Sequence, residues 1–152
     1  MLQRSMLWLH WAYDVDVYLY WSFNWGMNME EGFGYAGYGE SNLVGTDIYG
    51  NPLSSLRMER IRDGIEDYEY FWYLNNTLGY LENNGYEDKI TAGEKLLLEV
   101  DRTFAQPEYL NWHIGGKSDN FNLEFAYTPF TVDYLNLRLQ IGQELTNLAQ
   151  YT

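Results

Sequence analysis

From Ser54 to Leu81 the chain is paced at a helical period, and no other stretch constrains the fold as tightly. Met58, Ile61, Ile65, Tyr68 and Trp72 stand at i, i+3, i+7, i+10 and i+14, so an α-helix would gather them into one stripe facing a core. Ser54 or Ser55 can cap its start, and the helix is expected to end before Asn83-Asn84-Gly85. Arg62 and Glu66 form an i,i+4 pair on the outer side. Gly64 costs about 1 kcal/mol relative to alanine inside a helix, so something is expected to pack closely there. Three further helices are predicted. One covers 2–13, with Leu2, Met6, Leu9 and Tyr13 in step and Trp8 and Trp11 widening the apolar side. A second runs over about 87–104 with Ile90, Leu97, Val100 and Phe104 inward, and Pro107 stops it. The last follows Thr131 as cap to about Gln150, with Val132, Leu135, Leu139 and Leu145 or Leu148 inward.

Between the first and the strongest helix the pattern changes. Asp16-Val17-Tyr18-Leu19-Tyr20-Trp21-Ser22-Phe23 is short and rich in β-branched and aromatic residues, which predicts a strand. Val17, Leu19 and Trp21 would line one face and Tyr18 and Tyr20 the other. A strand apolar on both faces belongs in a parallel sheet covered by helices. Residues 24–50 form a glycine-, tyrosine- and glutamate-rich loop, with a short strand expected at about Asn42 to Thr46. Asn51-Pro52 reads as a turn, and 107–130 as irregular.

The charge balance excludes several functions. With 22 acidic and 9 basic residues in 152, the net charge is −13, which repels nucleic acid and anionic membranes. The longest unbroken apolar run, Val17 to Trp21, falls far short of the roughly 18–20 residues that span a bilayer. No cysteine is available for disulfides, thiolate metal sites or thiol catalysis. Only His10 and His113 could offer imidazole, at no ligand spacing. Asp14-Val15-Asp16 and Glu30-Glu31 match no calcium loop, and the glycine-rich stretch has no phosphate-cradling motif. No metal or cofactor is expected.

What remains is aromatic: 6 Trp, 15 Tyr and 7 Phe. In Tyr20-Trp21-Ser22-Phe23-Asn24-Trp25-Gly26, Trp21 would end the predicted strand, and Asn24 and Trp25 would open the loop beyond it. Ligands bind at that end of parallel sheets. An indole face beside an amide suits a sugar, with its C–H face and hydroxyl edge. The same tryptophans would serve equally to close a core. Arg57, in the first turn of the strong helix, faces the positive end of the helix dipole, so a buried carboxylate or an anionic ligand would explain it; a solvated arginine is the plain alternative.

The stretch Pro52-Leu53-Ser54-Ser55-Leu56-Arg57-Met58-Glu59-Arg60-Ile61-Arg62-Asp63-Gly64-Ile65-Glu66-Asp67-Tyr68-Glu69-Tyr70 resembles the closing signature of the glycoside hydrolase family 123 catalytic domain, formerly domain of unknown function family 4091. Leu2 to Trp25 resembles the helix, "YW" strand and aromatic loop that precede it. The resemblance covers residues 1–85 and implies an α/β fold: the carboxy-terminal portion of a (β/α)8 TIM-like barrel, with two parallel strands at Val17 to Phe23 and about Asn42 to Thr46. Residues 86–152 would be a helical extension packing on it. The segment Gly39 to Gly50 departs from the family's usual strand-eight sequence.

By that resemblance the activity is that of β-N-acetylgalactosaminidases, which retain configuration with help from the substrate's acetamido group and use an adjacent Asp-Glu pair. That pair belongs upstream of these residues, and Glu30-Glu31 is in the wrong place to substitute. The resemblance therefore implies a hydrolase part without a catalytic acid and inactive alone. Trp21 and Trp25 would be sugar platforms for an N-acetylhexosamine-containing glycan, Asn24 a hydroxyl partner and Arg57 a polar contact. Its partner would be the rest of the parent enzyme or a second copy, and its location extracellular or on the cell surface. Two alternatives stand beside it: a non-catalytic glycan-binding module, and an acidic helical domain that packs on another chain.

Overall fold

The computed structural model describes residues 2–19, 43–104 and 130–152. These form α1 (Leu2–Ala12), β1 (Val44–Thr46), β2 (Pro52–Ser54), α2 (Leu56–Asn83), α3 (Thr91–Phe104) and α4 (Phe130–Leu148), with short 3-10 turns at Glu87–Lys89 and Ala149–Tyr151. All four helices expected from the sequence are present. Their ends follow local chemistry. Ser55 caps α2, its hydroxyl accepting from Met58 N–H at 3.2 Å. At the other end Gly85 turns left-handed (φ 82°), Gly85 N–H donates to Glu82 C=O, and Tyr86 N–H donates to Leu81 C=O. This is a Schellman stop. Helix α1 ends the same way on Asp14 (φ 51°), with Val15 N–H reaching His10 C=O.

The expected barrel portion is overturned. Among the described residues the strands are β1 and β2 alone, and they pair antiparallel, Val44 with Ser54, Gly45 with Leu53 and Thr46 with Pro52. The short strand expected near Asn42 to Thr46 exists, but as half of a hairpin. A five-residue loop closes it: Asp47 accepts from Tyr49 N–H, Asn51 N–H and Asn51 Nδ2, all at 2.8 Å. That local closure returns the chain at once, where a parallel neighbour needs a long crossover. Over 16–19 the expected buried strand is irregular, and Val17 and Leu19 are each 77% exposed. A β-branched, aromatic composition suits a pleated sheet, but the propensity acts only through neighbouring strands, and none lies alongside in the described residues. The remainder of that predicted strand, 20–23, falls outside them.

The core joins all four helices: Trp8 from α1, Phe71, Leu74, Leu78 and Leu81 from α2, Leu97 and Val100 from α3, and Tyr134, Leu137, Ile141 and Leu148 from α4. Residues before and after 85 thus share one apolar cluster. The stripe expected on α2 is rotated by one residue. The buried positions are Gly64, Asp67, Phe71, Leu74, Leu78 and Leu81, whereas Ile65 and Trp72 are about half exposed. One residue is a 100° turn of the helix. The same shift affects α4, where Tyr134, Leu137 and Ile141 face inward and Leu135 and Leu139 outward.

Gly64 shows why α2 turns as it does. A Cβ there would lie 2.8 Å from Arg4 C=O and 3.2 Å from the Arg4 Cα, so α1 crosses directly over it. The close neighbour expected from this glycine is the backbone of α1.

Candidate functional site

Three of the four residues expected to contact sugar, Trp21, Asn24 and Trp25, lie outside the described residues. The fourth, Arg57, is the second residue of α2 and partly buried. Among the described residues no group of three or more His, Asp or Glu side chains is placed to hold a metal ion. No helix is long and apolar enough there to cross a membrane.

The arrangement that stands out is one that sequence reasoning missed. Asp67, in the middle of α2, is fully buried. Arg4 grips it with two bonds, Nε to Oδ2 at 2.6 Å and Nη2 to Oδ1 at 2.8 Å. The Trp8 indole N–H donates to Oδ2 at 2.8 Å, and Arg138 Nη1 of α4 lies 3.2 Å from Oδ1. Around this centre Arg138 Nη2 also meets Glu66 Oε2 at 3.0 Å, and Asp63 lies 3.8 Å from Arg4. The Arg138 guanidinium sits 5.1 Å above the Tyr70 ring. One carboxylate thus ties α1 and α4 to α2.

Its chemistry follows from the donor count. An ionised carboxylate offers about four acceptor positions, and four donors surround Asp67. The bidentate arginine and the indole engage both of its oxygens. Fully buried and with its acceptor positions occupied, the group has none left to offer a substrate; it is an anchor. The hydrogen bond from Arg4 to Asp67 in turn raises the guanidinium pKa above its usual value, against the opposing effect of burial. Trp8 gains equally: its ring is buried against Phe71 (4.6 Å) and Tyr134 (4.5 Å), both edge-to-face. A buried indole needs a hydrogen-bond acceptor, and Asp67 supplies it. The available signal was the spacing of Gly64 and Asp67 ahead of Phe71 and Leu74, which keeps the helical period but not the apolar character.

Elsewhere the described surface is shallow. A cleft of about 460 Å³ opens between the start of α3 and the end of α4, lined by Asp88, Lys89, Lys95, Glu144, Asn147 and Tyr151 among others. Lys89 pairs with Asp88 there and stands 5.9 Å from the Tyr151 ring. His10 packs edge-on against Tyr18 at 5.0 Å, and partial burial lowers its pKa. It is a packed imidazole, with no second histidine beside it among the described residues. Comparison with protein-family models, curated proteins and solved structures returns no match for this chain.

Proposed function

We propose that this chain is a non-catalytic part of a carbohydrate-active enzyme, resembling the closing segment of family 123 glycoside hydrolases, and that it contributes sugar-contacting residues rather than the catalytic acid. One observation carries the reading: the motif Arg62-Asp63-Gly64-Ile65-Glu66-Asp67-Tyr68-Glu69-Tyr70. Gly64 and Asp67 stand on the buried face of the helix, where an ordinary amphipathic helix has apolar side chains. Both answer a specific demand here, the passage of α1 over Gly64 and the seating of Arg4 and Trp8 on Asp67. A resemblance that includes such demanding positions is stronger support than one made of apolar residues alone.

In this reading Trp21 and Trp25 stack on sugar rings, Asn24 bonds a hydroxyl, and Arg57 makes a polar contact. The helices hold these groups against the remainder of the enzyme. Titration with an oligosaccharide ending in N-acetylgalactosamine, followed by tryptophan fluorescence and NMR, tests it. Weak saturable binding is expected, abolished by Trp25→Ala while the circular dichroism is unchanged, with no hydrolysis. Turnover by the chain alone would refute the non-catalytic part, and absence of binding would refute the sugar-contacting part.

A second reading is favoured by a different observation. Ile48 and Tyr49 at the hairpin tip are 90% and 82% exposed. Exposed apolar side chains at a hairpin tip suit a domain that packs on another protein surface. That reading predicts no response to any sugar.

A further inference from the structure

Helix α2 has two ordered faces, and the core covers one. The opposite face repeats every seven residues in two registers. Met58, Ile65 and Trp72 occupy one, and Arg62, Glu69, Asn76 and Asn83 the other. Ile65 and Trp72 are 47% and 51% exposed, the Arg62 side chain 64%, and Glu69 and Asn76 are also exposed. Rows spaced alternately by four and three lie on one side of a helix, and here an apolar row runs beside a polar one. The helix is 28 residues long, about 42 Å, so the seam is several turns deep.

We propose that this face pairs with the same face of a second copy of the chain, the two α2 helices running antiparallel. The complement is written into the seam itself. With a twofold axis crossing between Ile65 and Glu69, Ile65 of each copy meets Glu69 of the other, Arg62 meets Trp72, and Met58 meets Asn76. Each contact then occurs twice, as a twofold interface requires. Arg62 comes to lie over the indole of the second copy's Trp72, about 4.5 Å along the axis from its Glu69. One guanidinium can therefore stack on the ring and pair with the carboxylate. A parallel arrangement would set Arg62 against Arg62 and Glu69 against Glu69, which repel. Charge therefore selects the antiparallel pair.

Little must be surrendered to form it. Arg62 is held by its own helix neighbours Glu59 at 2.7 Å and Glu66 at 3.8 Å, exposed pairs that solvent and salt weaken. The −13 charge of each copy opposes approach at long range. At physiological salt, where screening acts beyond about 8 Å, the contacts in the seam decide the outcome.

Sedimentation equilibrium of the full chain at physiological salt tests this. A reversible monomer–dimer equilibrium is expected in the micromolar range. Arg62→Glu and Glu69→Arg should each weaken it by about tenfold or more, with helical circular dichroism unchanged because both side chains are exposed. Mixing the two variants should restore the dimer, since each then supplies the charge the other lacks. A chain that stays monomeric to about 100 µM overturns the proposal. So do single variants that dimerise as tightly as the original, or a mixture that fails to recover.

Discussion

The two ends of the helical core are fastened by different means. Near Asp67, α1 and α4 are joined to α2 by a buried carboxylate, two arginines and an indole N–H. Elsewhere in the core, α3 and α4 join α2 through Leu78, Leu81, Leu97, Val100 and Leu148, all aliphatic. Aliphatic contacts are tolerant of angle and register. A bidentate arginine on a carboxylate is not, because it accepts one orientation at one height. The charged end therefore fixes which helix lies where, and the aliphatic end contributes apolar burial alone. The apolar end loses stability in proportion to what is removed. The charged end loses it steeply, because taking away one partner leaves the others buried and unpaired.

The largest expected effect separates these behaviours. Asp67→Ala strips Arg4 of its bidentate partner and the Trp8 indole of its acceptor, leaving the arginines only Asp63 and Glu66, and should cost about 3–5 kcal/mol in urea unfolding. Leu81→Ala should cost about 2–5 kcal/mol, set by the cavity it leaves. The distinguishing variant is the triple change Arg4→Met, Asp67→Leu, Arg138→Met. Replacing the whole polar group with apolar side chains should recover most of the loss from Asp67→Ala. Failure to recover would mean that the charges contribute packing that apolar side chains cannot imitate.

Glycine offers a smaller version of the same contrast. At Gly64 an added Cβ meets the Arg4 backbone, carbonyl oxygen at 2.8 Å and Cα at 3.2 Å. At Gly93 it meets the tips of Leu78 and Leu74, the nearest at 2.7 Å. Backbone cannot yield without moving α1 and drawing Arg4 off Asp67, so Gly64→Ala should cost about 2 kcal/mol. Leucine tips can change rotamer, and alanine favours the helix by about 1 kcal/mol. Gly93→Ala should then fall near neutral. Thermal unfolding of both variants checks the order; equal costs would show that the Leu78 site is as rigid as backbone.

These residues also show what could be read from the sequence. Helix positions were legible because Ser55, Gly85 and the apolar period announce them locally. Helix orientation was not. On α2 the apolar residues Ile65 and Trp72 mark one face, and the core took the adjacent one, which contains a glycine and an aspartate. Those two are favourable only in the presence of α1, and a periodicity count scores them as solvent. The sheet failed for a related reason: Val17 and Leu19 have the composition of a buried strand, but pairing depends on a neighbour elsewhere in the chain. The expected sugar contacts at Trp21, Asn24 and Trp25 lie outside the described residues, so the fold leaves that expectation where the sequence put it.

Local devices give smaller effects still, because solvent replaces what they lose. Ser55→Ala removes the hydroxyl that accepts from Met58 N–H, and should cost about 1 kcal/mol. The smallest effect is expected at the hairpin tip, where Asp47 is an exposed counterpart of Asp67. It too is ringed by donors, foremost the Asn51 side chain and then its backbone N–H, and these lower its pKa below the ordinary value of 3.8. A carboxyl whose folded pKa lies below its unfolded one contributes stability above the unfolded value, and loses it as the pH falls through the folded one. The hairpin should therefore loosen only below about pH 4, visible as amide shifts at Tyr49 and Asn51 that follow the Asp47 carboxyl. Asp47→Ala should make those amides insensitive to acid while leaving the core transition in place. If the core instead melts together with the hairpin in both proteins, the two regions are one cooperative unit, and the separation between specifying charges and tolerant local turns does not hold.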